Sequence, residues 1–101
     1  MKGDRDPVET LSKRLFNSEH RLTVVRGLFE LDRAASSREI EDLTGVPRST
    51  VHDELNLLAD VGLLVRAQPD RTVFYQRADG PFWDWCRQLL GAGHYDEYDG
   101  D

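Results

Sequence analysis

Polar side chains collect on one face of an amphipathic segment in the middle of the chain. At 100° per residue, Val51, Leu55 and Leu58 form an apolar stripe, and the side chains opposite that stripe can form hydrogen bonds. This outward face consists of Ser49, Asp53, Asn56 and Asp60, with Thr50 and His52 on its flanks. An asparagine can bond the edge of an adenine with two hydrogen bonds, and an aspartate can accept one from cytosine N4. The outward face is therefore a candidate surface for contacts with bases.

Arginines lie on both sides of this segment. Arg48 stands at its start, where a guanidinium and free backbone amides can share a phosphate. Further arginines in this part of the chain are Arg38, Arg66, Arg71 and Arg77, which together predict a locally positive face. Arg71 is the best candidate for a contact with the DNA backbone or the minor groove. For any one of them, an ion pair on the surface is an equally good interpretation.

Two helices joined by a tight turn would position these groups. Ser36 and Glu39 have the spacing of a capping box and predict the start of the first helix. Gly45 can take positive φ in the turn of residues 44–46, and Pro47 suits the first turn of the second helix. The second helix then stops at Gly62. The pattern predicts a helix-turn-helix.

The motif Thr44-Gly45-Val46-Pro47-Arg48-Ser49-Thr50-Val51, followed by Leu55, Leu58, Gly62 and Leu63, resembles the winged helix-turn-helix of ArsR-type and MarR-type transcriptional regulators. The resemblance extends from about Arg21 to about Arg77. It implies a recognition helix in the major groove of duplex DNA and a β-hairpin, the wing, on the backbone or in the minor groove. The chain departs from the pattern at Asp53 and Glu54, where basic residues are frequent in these families.

The wing is predicted from a strand over Leu63–Ala67, a turn at Gln68-Pro69-Asp70 and a return strand over Arg71–Gln76. Its candidate DNA contacts are Arg66, Gln68, Arg71 and Thr72. A hairpin that contacts no ligand is the alternative. The short Ala34-Ala35 connection stands where these families often have a strand of one to three residues.

Amphipathic helices are predicted on both sides of the motif. Asp6 and Pro7 begin the first helix, and a second runs from Ser18 to Arg33. A last helix starts at Asp79-Gly80-Pro81 and ends at Gly91-Ala92-Gly93, with Trp83 off its apolar stripe. The apolar residues of the two terminal helices form the predicted dimer interface: Val8, Leu11, Leu15, Phe82, Trp85, Cys86, Leu89 and Leu90. The alternative is a monomer in which the last helix folds back on the first.

The length and composition of the chain limit its number of domains and its class of function. The 101 residues fit one domain, predicted over residues 6–90, with a flexible start at 1–5 and an acidic flexible tail at 91–101. The net charge of −6 argues against DNA binding, but lysines occur only at Lys2 and Lys13, which resembles proteins of salt-adapted archaea. No apolar run is long enough for a membrane span and no signal peptide is visible, so a cytoplasmic location is expected.

Catalytic and metal sites have little support in the sequence. His20, His52 and His94 stand far apart, and the lone Cys86 excludes a cysteine pair. We therefore expect no enzyme, no metal and no cofactor, although His94 and the acidic tail could hold a divalent ion loosely. The sequence predicts a mainly α fold with a small β-hairpin, and a homodimeric regulator that binds specific DNA sequences. The alternative is a winged-helix module for protein–protein interaction with reduced or no DNA binding.

Overall fold

The computed structural model describes the backbone of residues 7–95 and the side chains of residues 8–91. Five helices and one hairpin follow in the order α1 Pro7–Phe16, α2 Arg21–Leu31, α3 Ser37–Thr44, α4 Arg48–Asp60, β1 Leu64–Ala67, β2 Phe74–Arg77 and α5 Pro81–Tyr95. The predicted fold class is confirmed. The expectations for residues 1–6 and 96–101, including the cap at Asp6, lie outside the described residues.

The junction of α1 and α2 is held by side-chain hydrogen bonds. The buried Ser12 hydroxyl donates to the Ser18 carbonyl and accepts from the Leu22 amide at 3.0 Å. Asn17, at φ 58°, turns the chain between the helices. Because residues 17–20 form this connection, α2 begins at Arg21 instead of Ser18. It ends at Leu31, since Asp32 takes a left-handed conformation with φ 54°.

The helix-turn-helix forms as its local sequence predicts. The Glu39 amide donates to the Ser36 hydroxyl at 3.2 Å, and the Ser36 amide donates to the Glu39 carboxylate at 3.0 Å, which completes the capping box. Gly45 has φ 79° and closes α3. Gly27 allows α2 and α3 to approach closely, because a Cβ there would lie 3.0 Å from the Thr44 methyl group.

The wing is a two-stranded antiparallel sheet in which Leu64 pairs with Arg77 and Ala67 with Phe74. Ala35 joins its edge through an isolated bridge to Tyr75, with N–O distances of 2.9 and 2.8 Å. The short strand expected at this connection is thus present as a single bridge. The return strand begins at Phe74 instead of Arg71, because the four residues of β1 are all paired by residues 74–77. The wing loop therefore spans residues 68–73.

Helix α5 covers the core with a different face from the one expected. Trp83 is only 5% exposed, and its indole N–H donates to the Leu63 carbonyl at 3.0 Å. Trp85, in contrast, is 44% exposed. The expectation that Trp83 lies off the apolar stripe was wrong, since α5 packs against α2 as well as α1 and turns Trp83 and Cys86 inward. The helix also continues to Tyr95, past the predicted stop at residues 91–93.

Candidate nucleic-acid interface

The turn between α3 and α4 is fixed by one threonine. The Thr44 hydroxyl donates to the Ile40 carbonyl at 2.7 Å and accepts from the Val46 amide at 3.2 Å. Ile40 and Val46 are buried on either side of it. The start of α4 therefore has a defined direction relative to α3, so that Arg48, Ser49 and Thr50 lie on the first turn of α4.

The outward face of α4 is open to solvent. The stripe of Val51, Leu55 and Leu58 is buried, with at most 3% exposure, as the periodicity predicts. Opposite the stripe, four polar residues are exposed and two are half-buried: the exposed ones are Ser49, His52, Asp53 and Asp60, and the half-buried ones are Thr50 and Asn56. These side chains are available to a ligand as large as a DNA groove.

Glu54 faces away from this surface. Its carboxylate accepts from the Ser18 hydroxyl at 2.8 Å and from Arg21 Nε at 2.7 Å, and its side chain is only 12% exposed. It ties α4 to the junction of α1 and α2. An acidic residue here is therefore explained by the ion pair with Arg21, and it does not count against contacts with DNA on the outward face.

Carboxylates neutralise most of the arginines that the sequence assigns to this region. Arg48 Nε lies 2.8 Å from Glu41, Arg66 Nη2 lies 2.8 Å from Asp60, and Arg77 Nη2 lies 2.6 Å from Asp32. The hydrogen bond from Arg66 to Asp60 raises the pKa of Arg66. Within the described part of the chain, Arg38 and Arg71 make no ion pair, and both are exposed. The predicted positive face is therefore only partly free.

A groove of about 480 Å³ brings four of the predicted contact residues together. It lies between the start of α3, the first half of α4 and the wing, and Arg38, Arg48, His52 and Thr72 line it. The wing loop carries the exposed Gln68 and Arg71, and the Gln68 amide donates to the Arg71 carbonyl at 3.2 Å. The outward face of α4 and the wing are thus neighbouring parts of one surface.

Asn56 is engaged within the chain. Its side-chain oxygen accepts from Arg66 Nη2 at 3.0 Å, from Arg66 Nε at 3.2 Å and from the Tyr75 hydroxyl at 3.1 Å. Its amide nitrogen lies 3.1 Å from His52 Nδ1. Three donors fill the acceptor capacity of this oxygen, so the two-bond pairing with adenine expected at Asn56 has no acceptor in this arrangement. No local signal pointed to the role of Tyr75, because its partner is 19 positions away.

Comparison with known proteins agrees with this architecture. Residues 20–68, just under half of the chain, match the family model of the IclR helix-turn-helix domain. The matched range contains α2, the helix-turn-helix and β1. This range is therefore similar to an IclR-type helix-turn-helix domain, and together with the hairpin it forms a winged helix-turn-helix fold. No curated protein matches it significantly in sequence.

Solved structures share the winged-helix fold of this chain at low sequence identity. A MarR-family transcriptional regulator from Rhodococcus sp. RHA1 matches with a TM-score of 0.72 and 17% identity over 95% of this chain and 71% of that one. A protein from Archaeoglobus fulgidus matches with a TM-score of 0.70 and 17% identity over 88% and 99%. A cysteine-to-serine mutant of MarR from E. coli, complexed with operator DNA, matches with a TM-score of 0.66 and 18% identity over 93% and 71%.

These comparisons adjust the resemblance that the sequence suggested. The MarR-type part agrees with the structural matches. The matched domain model is of IclR type, so the ArsR-type label is corrected. The suggestion of a salt-adapted archaeal origin stays a prediction.

The residues predicted for a dimer interface fall into two groups. Leu15 and Trp85 are 45% and 44% exposed, and the ring of Phe16 packs edge-on against Trp85 at 6.0 Å between centroids. The partly buried members are Val8, Leu11, Phe82, Leu89 and Leu90. Cys86 is fully buried inside the chain and offers no surface to a second copy, so its assignment to the interface is corrected.

The structure also bears on the cysteine, the expected absence of a metal site and the expected absence of a membrane span. Burial raises the pKa of the Cys86 thiol to about 11, which fits the expected buried small hydrophobe. No group of three potential metal ligands occurs among the described residues, and the loose site suggested around His94 lies outside the described side chains. In the same part of the chain, none of the helices has the length and apolar character to cross a membrane.

Proposed function

We propose that this chain is a transcriptional regulator that binds specific sequences of duplex DNA as a homodimer, with the first half of α4 in the major groove and the wing on the backbone or in the minor groove. The observation that carries the proposal is the common surface of α4 and the wing, where Arg38, Arg48 and Thr72 line one groove. Residues near the start of a recognition helix reach base edges, and arginines beside them contact phosphates.

The contacts divide by chemistry. Ser49, Thr50, His52 and Asp53 are the candidates for base edges, because they lie on the first two turns of α4. Arg38 and Arg71 are the candidates for phosphates or the minor groove, since neither has a carboxylate partner within the described residues. Arg48, Arg66, Gln68 and Thr72 complete the predicted set apart from Asn56, whose side-chain oxygen is engaged by Arg66 and Tyr75. A cytoplasmic location and a non-enzymatic role follow from binding to genomic DNA.

Dimerisation is part of the same proposal. The exposed Leu15 and Trp85, with the partly buried apolar residues around them, form a face of α1 and α5 that a second copy would cover. Two-fold symmetry would then present two α4 helices to successive major grooves. Leu15→Glu with Trp85→Glu is expected to yield monomers in sedimentation velocity. A wild-type protein that stays monomeric at every concentration would remove this part of the proposal.

The test of DNA binding uses fluorescence anisotropy with duplexes enriched from a random-sequence pool. We expect saturable binding by the wild type and affinity weakened by roughly tenfold or more in Arg38→Ala with Arg71→Ala. The salt slope should also fall by about one for each phosphate contact that is removed. Arg14→Ala, an exposed arginine on α1, is the matched control. Enrichment of no sequence, with equal binding by all three proteins, would contradict the proposal.

A protein-binding role is the second candidate, and the acidic character of the outward face favours it. Asp53 is exposed there with no basic partner among the described residues, while Arg48 and Arg66 are paired with Glu41 and Asp60. Asp53→Lys separates the two functions. It should tighten duplex binding if the face meets DNA, because a repulsion from phosphates becomes an attraction. If the face binds only protein, neither the wild type nor Asp53→Lys would enrich any duplex from the pool.

A further inference from the structure

A hydrogen-bond network joins α4 to the wing. Its centre is the side-chain oxygen of Asn56, which accepts from Arg66 on β1 and from the Tyr75 hydroxyl on β2. Arg66 Nη2 also donates to Asp60 Oδ1 at 2.8 Å, one turn further along α4. Both strands of the wing are thereby bonded to the same side of one helix.

Tyr75 connects this network to the rest of the molecule. It is only 2% exposed, and its backbone N–H and carbonyl are both bonded to Ala35 in the connection between α2 and α3. It also pairs across the sheet with Arg66, so both side chains point toward α4. The position of the Tyr75 hydroxyl is therefore set by the core, whereas the wing loop at residues 68–73 is exposed except at Val73.

We propose that Asn56 is a positioning residue, which fixes the wing relative to the recognition helix through Tyr75 and Arg66 and does not contact a base. An amide suits this role because its oxygen takes the donors of the wing while its N–H groups face His52. With the wing held at one angle, Arg71 and the outward face of α4 meet the same stretch of duplex. That consequence rests on the proposed DNA binding, but the network itself is independent of it.

Two arms of one experiment test the proposal. In the first, anisotropy titrations over a salt series compare Asn56→Ala, Tyr75→Phe and Arg71→Ala with the wild type. If Asn56 positions the wing, both network variants should lose affinity about three- to tenfold on all sequences, and their salt slope should fall by about one, as in Arg71→Ala. Arg71→Ala should then add little in the Asn56→Ala background.

Base contact by Asn56 predicts the opposite pattern. Asn56→Ala would relax the preference at one base pair with an unchanged salt slope, and Tyr75→Phe, whose side chain is buried, would bind as the wild type does. That result overturns the proposal. Tyr75→Phe loses only a hydroxyl, so the fold should be retained. Gln76→Ala, an exposed residue on the same strand, controls for effects on the hairpin itself.

The second arm needs no DNA. Hydrogen exchange of the amides in β1 and β2 should be about three- to tenfold faster in Asn56→Ala and Tyr75→Phe than in Gln76→Ala, with α2 and α3 unchanged. Equal rates in all three variants would overturn the positioning role. If the wild type bound no duplex, the proposed function would fail, and this arm would still decide whether Asn56 holds the wing.

Discussion

The ion pair between Arg48 and Glu41 leads to the sharpest prediction. Arg48 stands at the start of α4, and its guanidinium is held 2.8 Å from the Glu41 carboxylate of α3. The two side chains are 54% and 32% exposed, so the pair contributes at most about 1 kcal/mol to the stability of the fold. In a complex with DNA, the same guanidinium would be shared between a phosphate and the Glu41 carboxylate.

The cost of that sharing follows from the geometry. A phosphate oxygen on the far side of the guanidinium would lie about 6 to 7 Å from the Glu41 carboxylate. Two unit charges at this separation repel by about 0.6 kcal/mol in water, and salt at 0.1 M screens part of this. Glu41→Gln should therefore bind the enriched duplex about two- to threefold more tightly, and the gain should vanish at 1 M salt, where the Debye length is about 3 Å.

The assay is anisotropy at 0.1 M and 1 M salt, with thermal unfolding measured alongside. Glu30→Gln, an exposed carboxylate on α2, is the matched control for the change in net charge. In the Arg48→Ala background, Glu41→Gln should bring only the small gain seen with Glu30→Gln. A gain that is equal in the control, or that persists without Arg48, would refute the idea that Glu41 competes with phosphate for this guanidinium.

Three further predictions concern the fold itself. Ser36→Ala should lower stability by about 1 kcal/mol, because it removes the cap of α3, and urea unfolding would measure the loss. Hydrogen bonds from Arg33 and, secondly, from the Ser36 amide lower the pKa of Glu39. The ionised carboxylate therefore stabilises the fold above its unfolded pKa of 4.5, and this contribution is lost as the pH falls through the lower folded pKa. Glu39→Gln should accordingly lose less stability in acid than the wild type, and an unchanged dependence of stability on acid pH would contradict this. The Cys86 thiol, with a pKa of about 11, should react with iodoacetamide at pH 8 only as fast as the protein unfolds.

Local signals in the sequence predicted the helices and some of their ends, although α2 begins later and α5 ends later than expected. The capping box at Ser36, the turn at Gly45 and the buried stripe of α4 depend on residues within about one or two turns of each other. The dependence is local, so composition and spacing are sufficient to predict them. The burial of Trp83 could not be read this way, since periodicity gives the existence of an apolar face on α5 but not which neighbours will cover it.

In the candidate site, too, the features that depend on local sequence were predicted, and those that depend on long-range contacts were not. Exposure of the outward face of α4 follows from the stripe opposite it, and the sequence predicted it. The bonds that decide what each polar group can do are long-range: Arg21 to Glu54 spans 33 positions, and Tyr75 to Asn56 spans 19. Two residues that look alike on a helical projection therefore differ in the folded chain. Asp53 lies free on the surface within the described residues, while Asn56 is saturated by the wing.

The placement of the charges bears on how an acidic chain could offer a surface to DNA. Of its carboxylates, Glu54 is turned inward against Arg21, and Glu39 is bonded to Arg33 beside its own helix cap. Each of these carboxylates is matched by a guanidinium at 2.7 to 2.9 Å, so each pair adds nothing to the net charge and little field at a distance. The charge of −6 therefore comes from the other charged groups of the chain. On the surface of α4 and the wing, what a phosphate would meet is set by the groups without an ion pair among the described residues, namely Arg38 and Arg71 against Asp53 and Asp70. The placement of those four side chains sets the field at close range, where salt screens the more distant charges that make up the total of −6.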